Sequence, residues 1–325
     1  MSLLTYIHNR ETDNQFVAAT SISYLDTMED PNLIACLFPA ESEEETKSTW
    51  DTIRMNKNNQ RCRYIPQIEQ DRGSRESTAS TVEHYDPRSG PGLQLTFNPG
   101  PKAGQGLVFG TDRNSCDIVL PNLKTNTISR RHCYLTFDAK RRLVLRDCSR
   151  HGTIVEYDHQ GGETRRTIVT RDKNGQEKHH YFTWILSGAE GPNEAEKIVI
   201  EIQNIKFQII VSKDEIHSPR YIEDVDRFIL QAVANEELPL GVLGIQSTST
   251  TAAQSSAQTP DLQSHPPIYI KQKRIGKGKF SIVRHVWDVS TGFQYAAKYF
   301  INMTKFKWKR EASIMRQVSQ LSNVG

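Results

Sequence analysis

At 325 residues the chain exceeds what one compact core usually needs, and a hydrophobic content of 36% points to segments outside any core. Its 41 Lys+Arg and 38 Asp+Glu leave a net charge of only +3, which argues against nucleic acid as a partner on global charge, so any basic site must be local. Cys36, Cys62, Cys116, Cys133 and Cys148 are odd in number and contain no C-x-x-C pair, so neither a disulfide framework nor a zinc knuckle is suggested.

The first residues, Met1-Ser-Leu-Leu-Thr-Tyr-Ile7, carry no basic segment followed by an apolar run. Nowhere do roughly 18 apolar residues follow one another. The expectation is a soluble intracellular protein of the nucleus or cytoplasm, with no membrane partner.

In chain order, residues 1–90 combine polar stretches, an acidic cluster from Glu41 to Glu45 and a Ser/Arg/Gly stretch from Arg72 to Ser80. Without a sustained apolar period this segment is expected to be mostly disordered. From Leu93 the pattern becomes short β-type runs separated by Gly, Pro, Asn and Asp. They are Leu93–Phe97, Leu107–Gly110, Asp117–Leu120, Tyr134–Phe137, Leu143–Arg146, Thr153–Tyr157, Thr167–Thr170, Tyr181–Leu186, Ile198–Ile202 and Lys206–Val211. Turn signals at roughly ten-residue intervals predict a β-sandwich or barrel over 91–213. Asn174-Gly175 reads as the tip of a hairpin, where positive φ is needed.

Residues 218–237 read as a helix capped by Ser218 and opened by Pro219. Ile222, Val225, Phe228, Ile229, Ala232 and Val233 share its apolar face, in a helical extension spanning 214–245. Nine of the 22 residues from Gln246 to Pro267 are Ser or Thr, the composition of a flexible linker with a reach of about 25 Å. A second unit is expected over 268–325.

Three stretches carry chemistry in the sandwich region: Phe109-Gly-Thr-Asp-Arg-Asn-Ser-Cys-Asp-Ile-Val-Leu120, Ile128-Ser-Arg-Arg-His-Cys133 and Asp147-Cys-Ser-Arg-His-Gly-Thr153. In order and spacing they resemble the signature of forkhead-associated (FHA) domains, which are phosphothreonine-binding β-sandwiches. A phosphate offers strong acceptors and close to two negative charges, so loops that hold it must converge hydroxyls, N–H groups and guanidinium forks. The resemblance implies that Ser129 donates its hydroxyl to phosphate and that Arg130 lies beside it. It also implies that His132 ties the loop to its neighbour and that Gly110 and Gly152 are backbone requirements. Thr111 stands where the family places an Arg, and His151 where it places an Asn. Arg113, Lys124, Arg131 and Arg150 lie in the same loops as sources of compensating charge. Phosphothreonine-containing proteins are the implied partners.

After the linker, Tyr269-Ile-Lys-Gln-Lys-Arg-Ile-Gly-Lys-Gly-Lys-Phe-Ser-Ile-Val-Arg284 and Gln294-Tyr-Ala-Ala-Lys-Tyr-Phe300 resemble the glycine-rich loop and third strand of protein kinases, nearest to the calmodulin-dependent group. By that resemblance Ile275, Gly276, Gly278, Val283, Ala296 and Lys298 would contact ATP, with Glu311, 13 residues after Lys298, as the acid partner of the lysine. Within residues 1–325 there is no H-R-D-x-x-x-x-N loop and no D-F-G motif. The kinase unit is therefore expected to be a partial N-lobe without Mg²⁺ ligands, inactive by itself.

The expected fold class is mainly β: an FHA-type sandwich, then a partial kinase N-lobe, with a disordered N-terminus and linker. The expected layout is that of FHA-containing serine/threonine kinases of the checkpoint type. Two alternatives stand beside it, a non-catalytic phospho-dependent adaptor with a vestigial kinase segment and a sandwich that no longer reads phosphate.

Overall fold

Leu33-Ile-Ala-Cys-Leu-Phe-Pro39 is an apolar run in which every residue is buried. A strand like this fits only where both of its faces are covered. It forms β1 (Leu33–Pro39), paired antiparallel with a strand on each side. The computed structural model describes residues 30–67, 85–102, 104–122, 127–162, 167–171, 177–188, 195–211, 218–241, 267–279, 281–300 and 313.

The strands after β1 are β2 (Cys62–Ile65), β3 (Gly92–Thr96), β4 (Leu107–Gly110), β5 (Ile118–Val119), β6 (Cys133–Phe137), β7 (Leu143–Asp147) and β8 (Ile154–Tyr157). They continue with β9 (Thr167–Arg171), β10 (Glu177–Tyr181), β11 (Thr183–Ile185), β12 (Ile198–Ile202) and β13 (Ile205–Val211). One sheet has the order β2-β3-β1-β13-β12-β8, all antiparallel, and the second has the order β11-β7-β6-β4-β5, with β4 and β5 parallel. Their inner faces share one core, in which Phe109 of the second sheet meets Phe207 of the first at 6.2 Å between ring centroids. The fold is mainly β, a sandwich of two facing sheets, as the strand pattern predicts.

Helix α1 (Lys47–Met55) lies between β1 and β2 and buries Thr49, Trp50, Thr52 and Ile53. Its C-terminal Asn56, 1% exposed, accepts the Val119 N–H at 3.0 Å and donates to the Val119 carbonyl at 2.8 Å, clamping the helix to β5 of the opposite sheet. Residues 30–67 are thus part of the sandwich, so the domain begins before the expected 91 and this stretch is ordered, while 1–29 and 68–84 lie outside the described residues. A short apolar run buried on both faces has neither alternation nor helical period, so periodicity does not reveal it. The stretch from Arg72 to Ser80 lies outside the described residues.

Tyr181–Leu186, expected as one strand, is divided: β10 pairs with β9 in a separate hairpin, and β11 pairs with β7. The hairpin tip at Asn174-Gly175 lies outside the described residues.

Helix α2 (Pro219–Gly241) begins as expected, the Ser218 hydroxyl accepting the Tyr221 N–H at 3.2 Å. Tyr221 replaces Ile222 at the head of its buried stripe, followed by Val225 and Phe228. Tyr221 and Phe228 meet the stacked pair Phe97 and Phe137 edge-on, at 5.5 to 6.4 Å between centroids. Each such contact adds about 0.5–1.5 kcal/mol beyond area burial. Arg141 grips Asp226 through two bonds of 2.7 and 3.0 Å at the rim. Through Phe228 the helix is therefore packed on the sandwich rather than appended to it.

Residues 269–300 form a three-stranded antiparallel meander of β14 (Tyr269–Lys277), β15 (Ser281–Asp288) and β16 (Gln294–Phe300). Ile270, Trp287 and Val289 join the sandwich core, so this unit is not separated from the first as the linker composition implied. The linker from 246 lies outside the described residues except for Pro267.

Asn56→Ala should lower unfolding free energy by about 1–3 kcal/mol, because it leaves part-buried backbone groups of Val119 on β5 without the Asn56 side chain. Urea denaturation at constant m-value measures this. An unchanged midpoint would mean that residues 30–67 are not integral to the fold.

Candidate functional site

Strand directions place three connections at one end of the sandwich. Phe109 of β4 is paired with Cys133 of β6, which is paired with Asp147 of β7. The β4–β5, β5–β6 and β7–β8 connections therefore emerge side by side, and they enclose an open cleft of about 800 Å³. Thr111, Asp112, Asn122, Ser129, Arg130, Arg131, Ser149, Arg150 and His151 line it, with Ile128 and Cys148 as its apolar members.

The loops are stitched together by backbone. Thr111 N–H donates to the Ser129 carbonyl at 3.3 Å, Asp112 N–H to the Arg130 carbonyl at 3.1 Å and Cys148 N–H to the His132 carbonyl at 2.9 Å. A Cβ on Gly110 would run into the Arg130 carbonyl, so only glycine allows β4 to pass this close to the loop. Gly152 has φ of 77°, the left-handed region that glycine enters without strain.

His132 is fully buried. Its Nδ1 accepts the Ser129 N–H at 3.1 Å, which leaves the proton on Nε2 to face the Gly152 carbonyl at 3.4 Å. One imidazole thus links the Ser129 loop to the β7–β8 loop. The latter is held from inside: Asp147 accepts the Ser149 hydroxyl at 2.8 Å and the Thr153 hydroxyl at 2.9 Å, and the Ser149 oxygen accepts the Gly152 N–H at 2.7 Å.

At the mouth, the Ser129 oxygen accepts the Arg150 N–H at 3.3 Å, which orients the hydroxyl and leaves its proton to donate outward. The Arg130, Arg131, Arg150 and His151 side chains are exposed around it. Asp112 opposes this charge, pairing with Arg130 at 3.2 Å. The Asn114 N–H, the Ser115 hydroxyl and then Arg130 hold its carboxyl below the usual carboxylate range, so it is ionised throughout the neutral range.

Cys116, Cys133 and Cys148 lie beneath and beside these loops, and burial pushes all three thiols up, Cys148 to about 12. They stay protonated and act as small packing groups.

Thr111, Ser129, Arg130, Arg150 and His151 converge on the cleft, while Arg113 is exposed in the β4–β5 loop and does not line it. Lys124 lies outside the described residues. Asp112, Asn122 and Ser149 were not singled out from sequence. The Asp112-x-Asn114-Ser115 turn is the one sequence signal from which an anchored carboxylate could have been read.

In the second unit, Gly276, Val283 and Lys298 form one cross-strand row, and Ala296 and His285 form the next but one. Val283, Ala296 and Lys298 therefore share a face of the meander. Ile275 is 60% exposed, and a Cβ on Gly276 would meet nothing, so the glycine hairpin has open space around it. Gly278 donates its N–H to the Ser281 carbonyl at 2.7 Å. Glu311 and Phe280 lie outside the described residues. Among the described residues no group of three or more His, Cys, Asp or Glu side chains is placed to hold a metal ion, and no helix is long and apolar enough to cross a membrane.

Residues 107–173 match the family model of the FHA domain, so the chain carries an FHA domain. Among solved structures the chain resembles a crystal structure of Rad53 residues 1–466 in complex with AMP-PNP. The identity is 18% and the TM-score 0.25, over 59% of this chain and 34% of that one. A search of curated proteins returned no match.

Ser149→Ala should cost about 1–3 kcal/mol of stability by orphaning the buried Gly152 N–H, and should raise amide exchange across 148–153. Exchange that stays as slow as in the parent protein would show that the Ser149 bridge does not hold the loop.

Proposed function

We propose that the sandwich binds phosphothreonine-containing proteins through the cleft formed by the β4–β5, β5–β6 and β7–β8 connections. The observation that carries this reading is the convergence of one oriented hydroxyl, Ser129, with three arginines, Arg130, Arg131 and Arg150, on loops locked by His132 and Asp147. FHA domains bind such partners, and residues 107–173 match that family.

In this reading Ser129 donates to a phosphate oxygen, and the arginines supply charge-assisted bonds to a group of close to two negative charges. Arg150 and Arg131 take over the charge that the family draws from the position of Thr111. His151 meets the peptide main chain. Rigid loops matter because ordering them before binding removes that entropy cost from the affinity.

For the meander we propose a nucleotide-binding fragment of the serine/threonine kinase type. The shared face of Val283, Ala296 and Lys298 and the open space at Gly276 fit ATP. Val283 and Ala296 would meet the base, Lys298 the phosphates, and Ile275 and the glycines the hairpin side, while Glu311 would hold Lys298. When bound, ATP would supply the transferable phosphoryl group, with Mg²⁺ held by residues other than these.

Calorimetry with a threonine peptide in phosphorylated and bare forms tests the first proposal. The phosphorylated form should bind at least tenfold tighter, and Ser129→Ala should cost about 1–3 kcal/mol of that affinity. Equal affinity for the two forms would leave the sandwich as an interaction module indifferent to phosphate.

Asp112→Asn should tighten phosphopeptide binding several-fold at low salt, since it removes a like charge and releases Arg130, with the gain shrinking toward 1 M salt. Arg150→Ala should weaken binding and flatten its salt dependence. Arg150→Ala behaving like the parent would remove Arg150 from the site.

A further inference from the structure

The end of the sandwich opposite the cleft is not bare. The β6–β7 turn, the turn after β8 and the end of β11 emerge there, and the three-stranded meander sits on them through three kinds of contact. Trp287 of β15, 1% exposed, meets Tyr157 of β8 edge-on at 5.5 Å between centroids. The Gln160 side chain holds the Lys271 backbone at both groups, accepting its N–H at 2.9 Å and donating to its carbonyl at 3.1 Å. The N–H of Ile185, the last residue of β11, donates to the Val289 carbonyl at 2.8 Å, and Arg142 donates to the Thr291 carbonyl at 2.9 Å.

These contacts are those of a packed interior rather than of two domains that happen to touch. Ile270, Trp287 and Val289 belong to the same continuous core as the sandwich residues. A side chain on Gly161 would come within 3.2 Å of Ile270, so the turn after β8 lies directly against the meander. The indole N–H of Trp287 has no hydrogen-bond partner among the described residues, so apolar burial, not a polar bond, holds this ring in place. The other end of the meander is different: Ile275 is exposed and Gly276 has open space around it, about 20 Å along the strands from the docked end.

We propose that the end of the FHA sandwich opposite its phosphate cleft is a docking site in cis, whose occupant is this chain's own glycine-containing meander. Sandwich and meander then form one cooperative unit with two outward-facing ends, the cleft at one and the glycine hairpin at the other. Because cleft and docking site share no residue, a phosphorylated partner binds without displacing the meander. The assignment stands on the contacts at the docked end and does not require that the meander bind nucleotide.

Hydrogen exchange followed by mass spectrometry on the full chain tests this, alongside light scattering and phosphopeptide calorimetry. Amides of 269–273 and 285–289 should be protected in the parent protein, which should be monomeric. Gln160→Ala, a change confined to the sandwich, should speed exchange across 269–273 by about tenfold through loss of two hydrogen bonds, with phosphopeptide Kd within about twofold of the parent. Trp287→Phe should keep the protection and Trp287→Ala should lose it. Exchange in the meander unaffected by Gln160→Ala would overturn the docking site, as would an unprotected meander in the parent. Protection that appears only with a concentration-dependent dimer would make the occupant a second copy and overturn docking in cis. A Kd shifted more than about tenfold by Gln160→Ala would overturn the independence of the two ends.

Discussion

The architecture depends on the backbone ladder of β1. Its N–H and C=O groups pair with β3 on one side and β13 on the other, from Leu33–Thr96 through Pro39–Phe207. Without those pairs the six-stranded sheet would divide into β2-β3 and β13-β12-β8, each with an open edge inside the protein, where unpaired backbone groups are costly. Both faces of β1 are buried: Ile34, Ala35 and Leu37 enter the main core, and Leu33, Cys36 and Phe38 form a small cluster against which Ile65 and Ile210 pack. A bulge between Leu33 and Ala35 accompanies that division.

From that sheet follows the rigidity of the cleft. The second sheet packs on the first, and the clamp of Asn56 on β5 ties the α1 side of one to the edge of the other. The loops can then be fixed by a few buried polar groups. His132 and Asp147 are both fully buried, His132 bonding the Ser129 loop and Asp147 bonding the hydroxyls of its own β7–β8 loop. Such groups are tolerable in a core only when satisfied, and once satisfied they hold one conformation. The exposed arginines at the mouth are cheap by comparison, since their charges remain in water until a ligand arrives.

The opposite end shows the same economy with apolar groups. Tyr157 buries its ring while its hydroxyl donates to the Ile185 carbonyl at 2.7 Å, joining β8 to β11 across the two sheets, and the free face of that ring receives Trp287. The residue that closes the sandwich at this end is therefore also the residue on which the meander rests. Mechanical continuity between the two units comes from shared packing.

Much of this was legible in residue order alone. Strands β4, β6, β7, β12 and β13 among others declared themselves because Gly, Pro, Asn and Asp bracket short β-type runs at roughly ten-residue intervals. The Ser129, Arg130, His132 and Gly152 spacing was likewise readable, because loop chemistry is local, and Ser218-Pro219 marked the start of α2 because capping is local too. Three things needed the tertiary structure. The apolar run of β1 carries no period, since a strand buried on both faces has none to show. The pairing of Asp112 with Arg130 joins residues 18 apart whose nearness comes only from adjacent loops. Trp287 lies in the second unit, and nothing in the residue order singled it out. Its role at the docked end depends on Tyr157, 130 positions earlier, and on burial that no local pattern encodes.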